Sequence, residues 1–191
     1  MRMGRDKAWL EIGGRPMISH VLDALRPVVT EIAVIANADG YGVLGVPVFS
    51  DTNRGMGPIE AIRTALTASQ YDRVMLVGCD LPFVTSELFG YLLSRAEGYE
   101  SVVPLGRDNM PEPLCAVYSK RSLPEVDRMI ETGRLKISPL FERVSTAFVT
   151  SAELSPLRGS DLFFENINTP DQYRRALALR GSGNLSDRTD V

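Results

Sequence analysis

The residues of this chain that could do chemistry are a few acids, amides and one lysine, set at the ends of apolar runs or inside glycine loops. The clearest is Asp80, which follows Val74-Met75-Leu76-Val77-Gly78-Cys79 and precedes Leu81-Pro82. A buried strand that carries one carboxylate to its C-terminal end marks the place where an open α/β sheet holds its ligand. Pro82 cannot extend a β-ladder, so the strand stops just past that carboxylate. An acid there, beside a phosphate loop, is a candidate metal ligand; taken alone it fits a strand-end Asp bonded to turn amides equally well. The candidate phosphate loop is Met3-Gly4-Arg5-Asp6-Lys7, followed by Gly13-Gly14-Arg15-Pro16 and a helix. Backbone N–H groups and the Lys7 ammonium suit a polyphosphate, although surface loops of this composition are common. A second acid, Asp51, follows a short strand and leads through Gly55-Met56-Gly57 into a helix at Pro58. Asn37 closes another strand and suits a turn as well as a base or ribose contact. In Asn166-Ile167-Asn168-Thr169-Pro170-Asp171, Thr169 serves as a helix cap, which leaves Asn168 without a local task.

The elements that must position these groups alternate between continuous apolar runs and amphipathic stretches. Strands are predicted at Ile32–Ala36, Val46–Phe49, Val74–Cys79, Ser101–Pro104, Leu114–Tyr118, Ala147–Val149 and Leu162–Phe164. Helices are predicted around Met17–Leu25, with Met17, Ile18, Val21, Leu22 and Leu25 on one side, and over Pro58–Ala68, where Pro58 suits the first turn. Thr85 caps a third helix with Leu88, Phe89, Leu92 and Leu93 on its apolar side. Leu123–Thr132 is the fourth, stopped by Gly133, and Thr169-Pro170-Asp171-Gln172 opens the last through a capping box. Alternation of this kind implies an α/β fold with a mostly parallel sheet covered on both faces and a ligand at the carboxyl ends of the strands. One domain is expected over residues 1–179, with a polar, disordered tail from 180 to 191.

Composition narrows the function. The chain has 191 residues, 44% of them hydrophobic and 24% charged, which matches an ordinary globular domain large enough to bury a core. The net charge of −3 provides no basic field, so nucleic acid is not an expected partner. No apolar run approaches a membrane span and no signal peptide opens the chain, so a cytoplasmic protein is expected. Cys79 and Cys115 lie in apolar segments without a neighbouring Cys or His and read as buried reduced thiols. The single histidine, His20, falls inside a helical pattern and reads as structural. Histidine-driven hydrolysis is therefore disfavoured, which leaves metal-assisted chemistry with carboxylates and a lysine.

Taken together, Met3-Gly4-x-Asp6-Lys7, Gly14-x-Pro16, Asp51 followed by Gly57-Pro58-Ile59-x-Ala61-Ile62, Cys79-Asp80-Leu81-Pro82 and Asn168-Thr169-Pro170 resemble the molybdenum cofactor guanylyltransferases. The motifs occur in order from about residue 3 to 175, and ordered agreement is far more specific than any single motif. The resemblance implies a three-layer Rossmann-like nucleotidyltransferase fold and transfer of GMP from GTP to the phosphate of molybdopterin or Mo-molybdopterin, with release of pyrophosphate. It implies Asp80 as the Mg²⁺ ligand, Lys7 as the phosphate clamp, and Asn37, Asp51 and Gly57 as nucleotide-side residues. Asn168 falls near the metal or the pterin phosphate. Cofactor-biosynthesis and acceptor proteins are the implied protein partners. The alternatives are a cytidylyltransferase or other small nucleotidyltransferase of the same fold, and a truncated, non-catalytic pterin-binding protein.

Two departures stand out. Glu60 and Ala61 replace the Ala-Gly pair of the family's Gly-Pro-Leu-Ala-Gly-Ile segment. The family pattern also carries an apolar first strand ending in Leu-Ala-Gly-Gly ahead of Met-Gly, whereas only Met1-Arg2 precede Met3 here. Either the start codon is placed too far downstream or the chain is a truncated copy. The first is favoured, because loss of an interior strand leaves unpaired ladders and an exposed core. On either account the sequence as given is expected to bind GTP poorly, and micromolar GTP affinity would refute this.

Overall fold

The computed structural model describes residues 6–53 and 55–181. The Met3-Gly4 motif, Arg54 and most of the expected tail lie outside the described residues. The elements run, in order, β1 (Glu11–Ile12), β2 (Arg15–Pro16), α1 (Met17–Leu25), β3 (Val34–Ile35), β4 (Val48–Phe49), α2 (Pro58–Ala68), β5 (Arg73–Val77), α3 (Ser86–Ser94), β6 (Ser101–Pro104), β7 (Cys115–Ser119), α4 (Leu123–Glu131), β8 (Thr146–Val149), α5 (Ser151–Leu154) and α6 (Pro170–Gly181). The helix caps form as their residue types dictate. The Thr85 hydroxyl accepts from Leu88 N at 3.2 Å. At α6, Thr169 N donates to Gln172 Oε1 at 2.9 Å and Gln172 N donates back to Thr169 Oγ1 at 3.2 Å, completing the capping box.

The main sheet has the order β5-β7-β6-β8. β7 runs antiparallel to both β5 and β6, and β8 pairs parallel with β6. β5, β6 and β8 therefore point the same way and β7 alone is reversed. Alternate residues feed two cores, as the period of two requires. Val102, Cys115 and Val117 face Val21 and Leu25 of α1 and Leu88, Phe89 and Leu92 of α3. Val103, Ala116 and Tyr118 face Ile59, Ile62 and Leu66 of α2 and Val126 and Met129 of α4. The result is an α/β fold of three layers.

Leu162–Phe164 is not a strand. Leu162 N bonds Gly159 O and Glu165 N bonds Leu162 O, so the segment is a run of tight turns. Its apolar signal comes from Phe163, which is driven whole into the α1–α3 core.

β3 and β4 pair parallel as a separate two-stranded sheet. Among the described residues, β3 and β5 each have a strand partner on one side only. Between them runs a channel of about 810 Å³, lined by Val34 and Ile35, by Val74 to Cys79, and by Ile18, Leu22 and Leu25 of α1.

Candidate active site

The site gathers where the strands end. β5 stops at Val77, and Gly78 N donates to Leu114 O at 2.7 Å, which turns the chain so that Asp80 leaves the sheet at its carboxyl edge. Gly78 is needed for the close approach that follows. A Cβ on it would lie 2.6 Å from Asp80 Oδ1, so any side chain there would push that carboxylate aside. On the other side, Ile167 N donates to Asp80 O at 3.0 Å and ties the Asn166–Asn168 segment to the same turn.

Lys7 opens a short 3₁₀ turn, Lys7–Trp9, capped by Asp6. Its Nζ donates to Asp80 Oδ2 at 2.9 Å and to Asn168 Oδ1 at 2.6 Å. Residues 73 and 161 positions away in sequence thus meet on one ammonium. The Lys7 side chain is 35% exposed and that of Asp80 18%, so solvent screens the pair. Such a pair adds little to stability; its importance is placement, with a cation and a carboxylate side by side at an open edge.

The second cluster lies after β3 and β4. Asn37 Nδ2 donates to Asp51 Oδ2 at 2.9 Å, and Asp51 N donates to Asn37 Oδ1 at 3.0 Å. Thr64 Oγ1 of α2 donates to Asp51 Oδ1 at 2.9 Å. Gly57, with φ 73°, turns the chain into α2, a conformation that disfavours any side chain. The clusters are tied through Asp6, the residue before Lys7. Asp6 Oδ2 accepts from the Tyr41 hydroxyl at 2.7 Å, and Tyr41 lies four residues beyond Asn37. Burial, helped by this bond and the Asp6 charge, raises the Tyr41 pKa well above its ordinary value.

One residue near Asp80 escapes sequence reasoning. Pro111-Glu112-Pro113 reads as loop punctuation, yet Glu112 is half-buried and shares a side-chain hydrogen bond with Asn166. Burial raises its pKa, the Asn166 bond opposes this, and the Asp80 charge adds to the rise. The signal available in sequence was an acid just before a buried strand, and the flanking prolines masked it. Lys136 and Arg143 do not join the site: Lys136 is exposed and Arg143 bonds Glu125 at 3.4 Å. His20 Nε2 bonds Ile12 O at 2.8 Å, a structural placement. Burial pushes the Cys79 thiol up to about 11, so it is not a nucleophile near neutral pH.

Among the described residues, no three His, Cys, Asp or Glu side chains gather into a metal cage. The donor set instead fits a hard divalent cation held by one carboxylate, waters and substrate phosphates. The space Gly78 leaves beside Asp80 Oδ1 suits this arrangement. An α/β fold with a cation and a carboxylate at the strand ends, and a glycine turn entering a helix close by, defines the class: a protein built to hold a phosphorylated ligand.

Comparison with known proteins specifies the class. The family model of the MobA-like NTP transferase domain matches residues 1–146, and the chain belongs to that family. It is 32% identical over 178 residues to a protein of Carboxydothermus hydrogenoformans named "Probable molybdenum cofactor guanylyltransferase", covering 93% of this chain and 90% of that one. It is 27% identical to the molybdenum cofactor guanylyltransferase of Desulfosudis oleivorans, covering 96% and 91%. The crystal structure of molybdopterin-guanine dinucleotide biosynthesis protein A from Archaeoglobus fulgidus superposes with a TM-score of 0.80 at 26% identity, over 95% of this chain and 93% of that one. The 2-C-methyl-D-erythritol 4-phosphate cytidylyltransferase of Thermus thermophilus shares the fold, with a TM-score of 0.69 at 20% identity over 92% and 93%.

Proposed function

We propose that this chain is a molybdenum cofactor guanylyltransferase: it transfers GMP from GTP to the terminal phosphate of molybdopterin or Mo-molybdopterin and releases pyrophosphate. The observation that carries this reading is the meeting of Lys7, Asp80 and Asn168 on one ammonium at the strand ends. The attacking phosphate is already anionic, so no general base is required, in keeping with a site that has no histidine. The barrier lies in bringing two anions into line and in stabilising the leaving pyrophosphate. Lys7 meets both needs by pairing with phosphate oxygens, its bond to Asp80 being exchanged for them. Asp80 is the residue that would hold Mg²⁺, which when bound neutralises phosphate charge and orients the leaving group. Asn37 and Asp51 lock one another and present the nucleotide side of the site, with Gly57 setting the turn beneath. Asn168 stands beside Lys7, in reach of the pterin phosphate. The substrates place the work in the cytoplasm, where GTP is supplied.

Asp80→Ala should cut magnesium-dependent pyrophosphate release about 10²–10³-fold. GTP should be the preferred nucleotide over CTP. Equal rates with CTP would sink the guanylyl assignment, and an undiminished Asp80→Ala rate would sink the mechanism.

The single domain is proposed to take one further apolar strand in the channel between β3 and β5. Two facing strand edges, each paired on one side only among the described residues, support this, as does an apolar lining drawn from both. Unpaired ladder edges facing an apolar space are costly, and a strand between them satisfies both.

A further inference from the structure

Glu60 is the most deeply buried acid among the described residues, with no accessible surface, and it stands where the family pattern has a small residue. It occupies the third position of α2 after the Gly57 cap, where a carboxylate is favoured by the helix dipole. An acid at that position commonly reaches back to the cap's own N–H. Glu60 reaches further. Its Oε1 accepts from Asn53 N at 3.0 Å and from Asn53 Nδ2 at 3.3 Å. One turn along the same face, Thr64 holds Asp51. Arg63 Nη1 lies 3.6 Å from Glu60 Oε1, and its Nε donates to Asp127 of α4 at 2.7 Å, which anchors the acid from behind. Among the described residues, Oε2 is buried without a partner. A buried carboxylate that uses one oxygen destabilises a fold, so stability alone does not account for it.

We propose that Glu60 is a positioning residue: by clamping Asn53 it fixes the Asp51–Asn53 segment in the conformation that receives the nucleotide. The inference rests on the guanylyltransferase reading only for what the segment does; the clamp itself is a matter of geometry. The acceptor oxygen is what the role needs, and the negative charge is not. Gln supplies the same acceptor and places an NH₂ where the partnerless oxygen now lies. Ala supplies neither.

Two measurements test this, on E60A and E60Q in the full chain. The first is the rate of tryptic cleavage after Arg54, the residue next to Asn53 in sequence, with no nucleotide present. The second is the split of KM for GTP from kcat. For E60A we expect cleavage and KM both to rise about tenfold, the effect of losing the acceptor of both Asn53 hydrogen bonds, with kcat held within twofold. E60Q should match the parent in both and melt at a higher temperature. E60Q remains informative should E60A fail to fold. If E60Q is cut and binds as poorly as E60A, the charge is what matters and the inference fails. If E60A is cut no faster than the parent, the clamp is not needed and the inference fails. A parent chain that is resistant to trypsin but shows no GTP turnover even when the proposed additional strand is joined ahead of Met1 would instead count against the reading of function.

Discussion

Among the described residues, the sheet is paired on one side of β5 and unpaired on the other. Toward β7, every residue of β6 and β7 is buried and each strand has a neighbour on both sides. Toward β3, the apolar run Val74 to Val77 is only half-buried and borders the channel. The two sides use the same residue types, so the difference does not lie in hydrophobicity. It lies in whether a ladder partner is present. Apolar side chains on β5 alternate between two faces, but among the described residues no strand pairs with its edge toward β3. That edge of β5 ends three residues before Asp80, so the channel adjoins the candidate site.

The largest expected effect separates the two sides by energy. Phe89→Ala in α3 empties a fully buried position in the closed core and should cost about 3–5 kcal/mol in urea unfolding. Met75→Ala on β5 removes a side chain that is only partly buried and should cost about 1 kcal/mol. Equal costs would erase the contrast. Next in size is repair of the open edge. Joining a six-residue apolar strand with a glycine exit ahead of Met1 should add about 3 kcal/mol after its ordering entropy, or about 10 °C in Tm. It should also shield Cys79, which lines the channel, from alkylation. An unmoved Tm with undiminished Cys79 labelling would sink the proposed strand.

The smallest effect is a titration. The Cys79 pKa is raised from 9.0 to about 11, by burial first and by the Asp80 charge second. A raised thiol pKa means that the unfolded chain ionises first. Its contribution to stability is intact below about pH 9 and is lost as pH rises toward 11. Between pH 8 and 10 the parent should lose about 1 kcal/mol more than Cys79→Ser. An identical pH dependence in the two proteins would show that the thiol does not sit in a desolvated wall.

Much of this was legible in the chain itself. Pro58–Ala68 appears as a helix with the bounds expected, because a proline start and a regular apolar face are local signals. Asp80 lies just past its strand as expected, but the strand stops at Val77, short of the expected Cys79, so Pro82 is not what ends the ladder. Leu162–Phe164 misled because three apolar residues look alike whether they pair in a sheet or send one ring into the core. Glu112 was hidden because its relation to Asp80 and Asn166 arises across the sheet.

The sequence alone determined the alternation of strands and helices, the caps, and which acids and amides lie at element ends, since each follows from neighbours a few residues apart. Only the tertiary structure decided that Lys7 reaches both Asp80 and Asn168, that Glu60 holds Asn53 from a helix, and that β3 and β5 face one another across a channel. Those facts depend on distances through space between segments far apart in the chain, fixed by how the layers pack and where the backbone finds its partners.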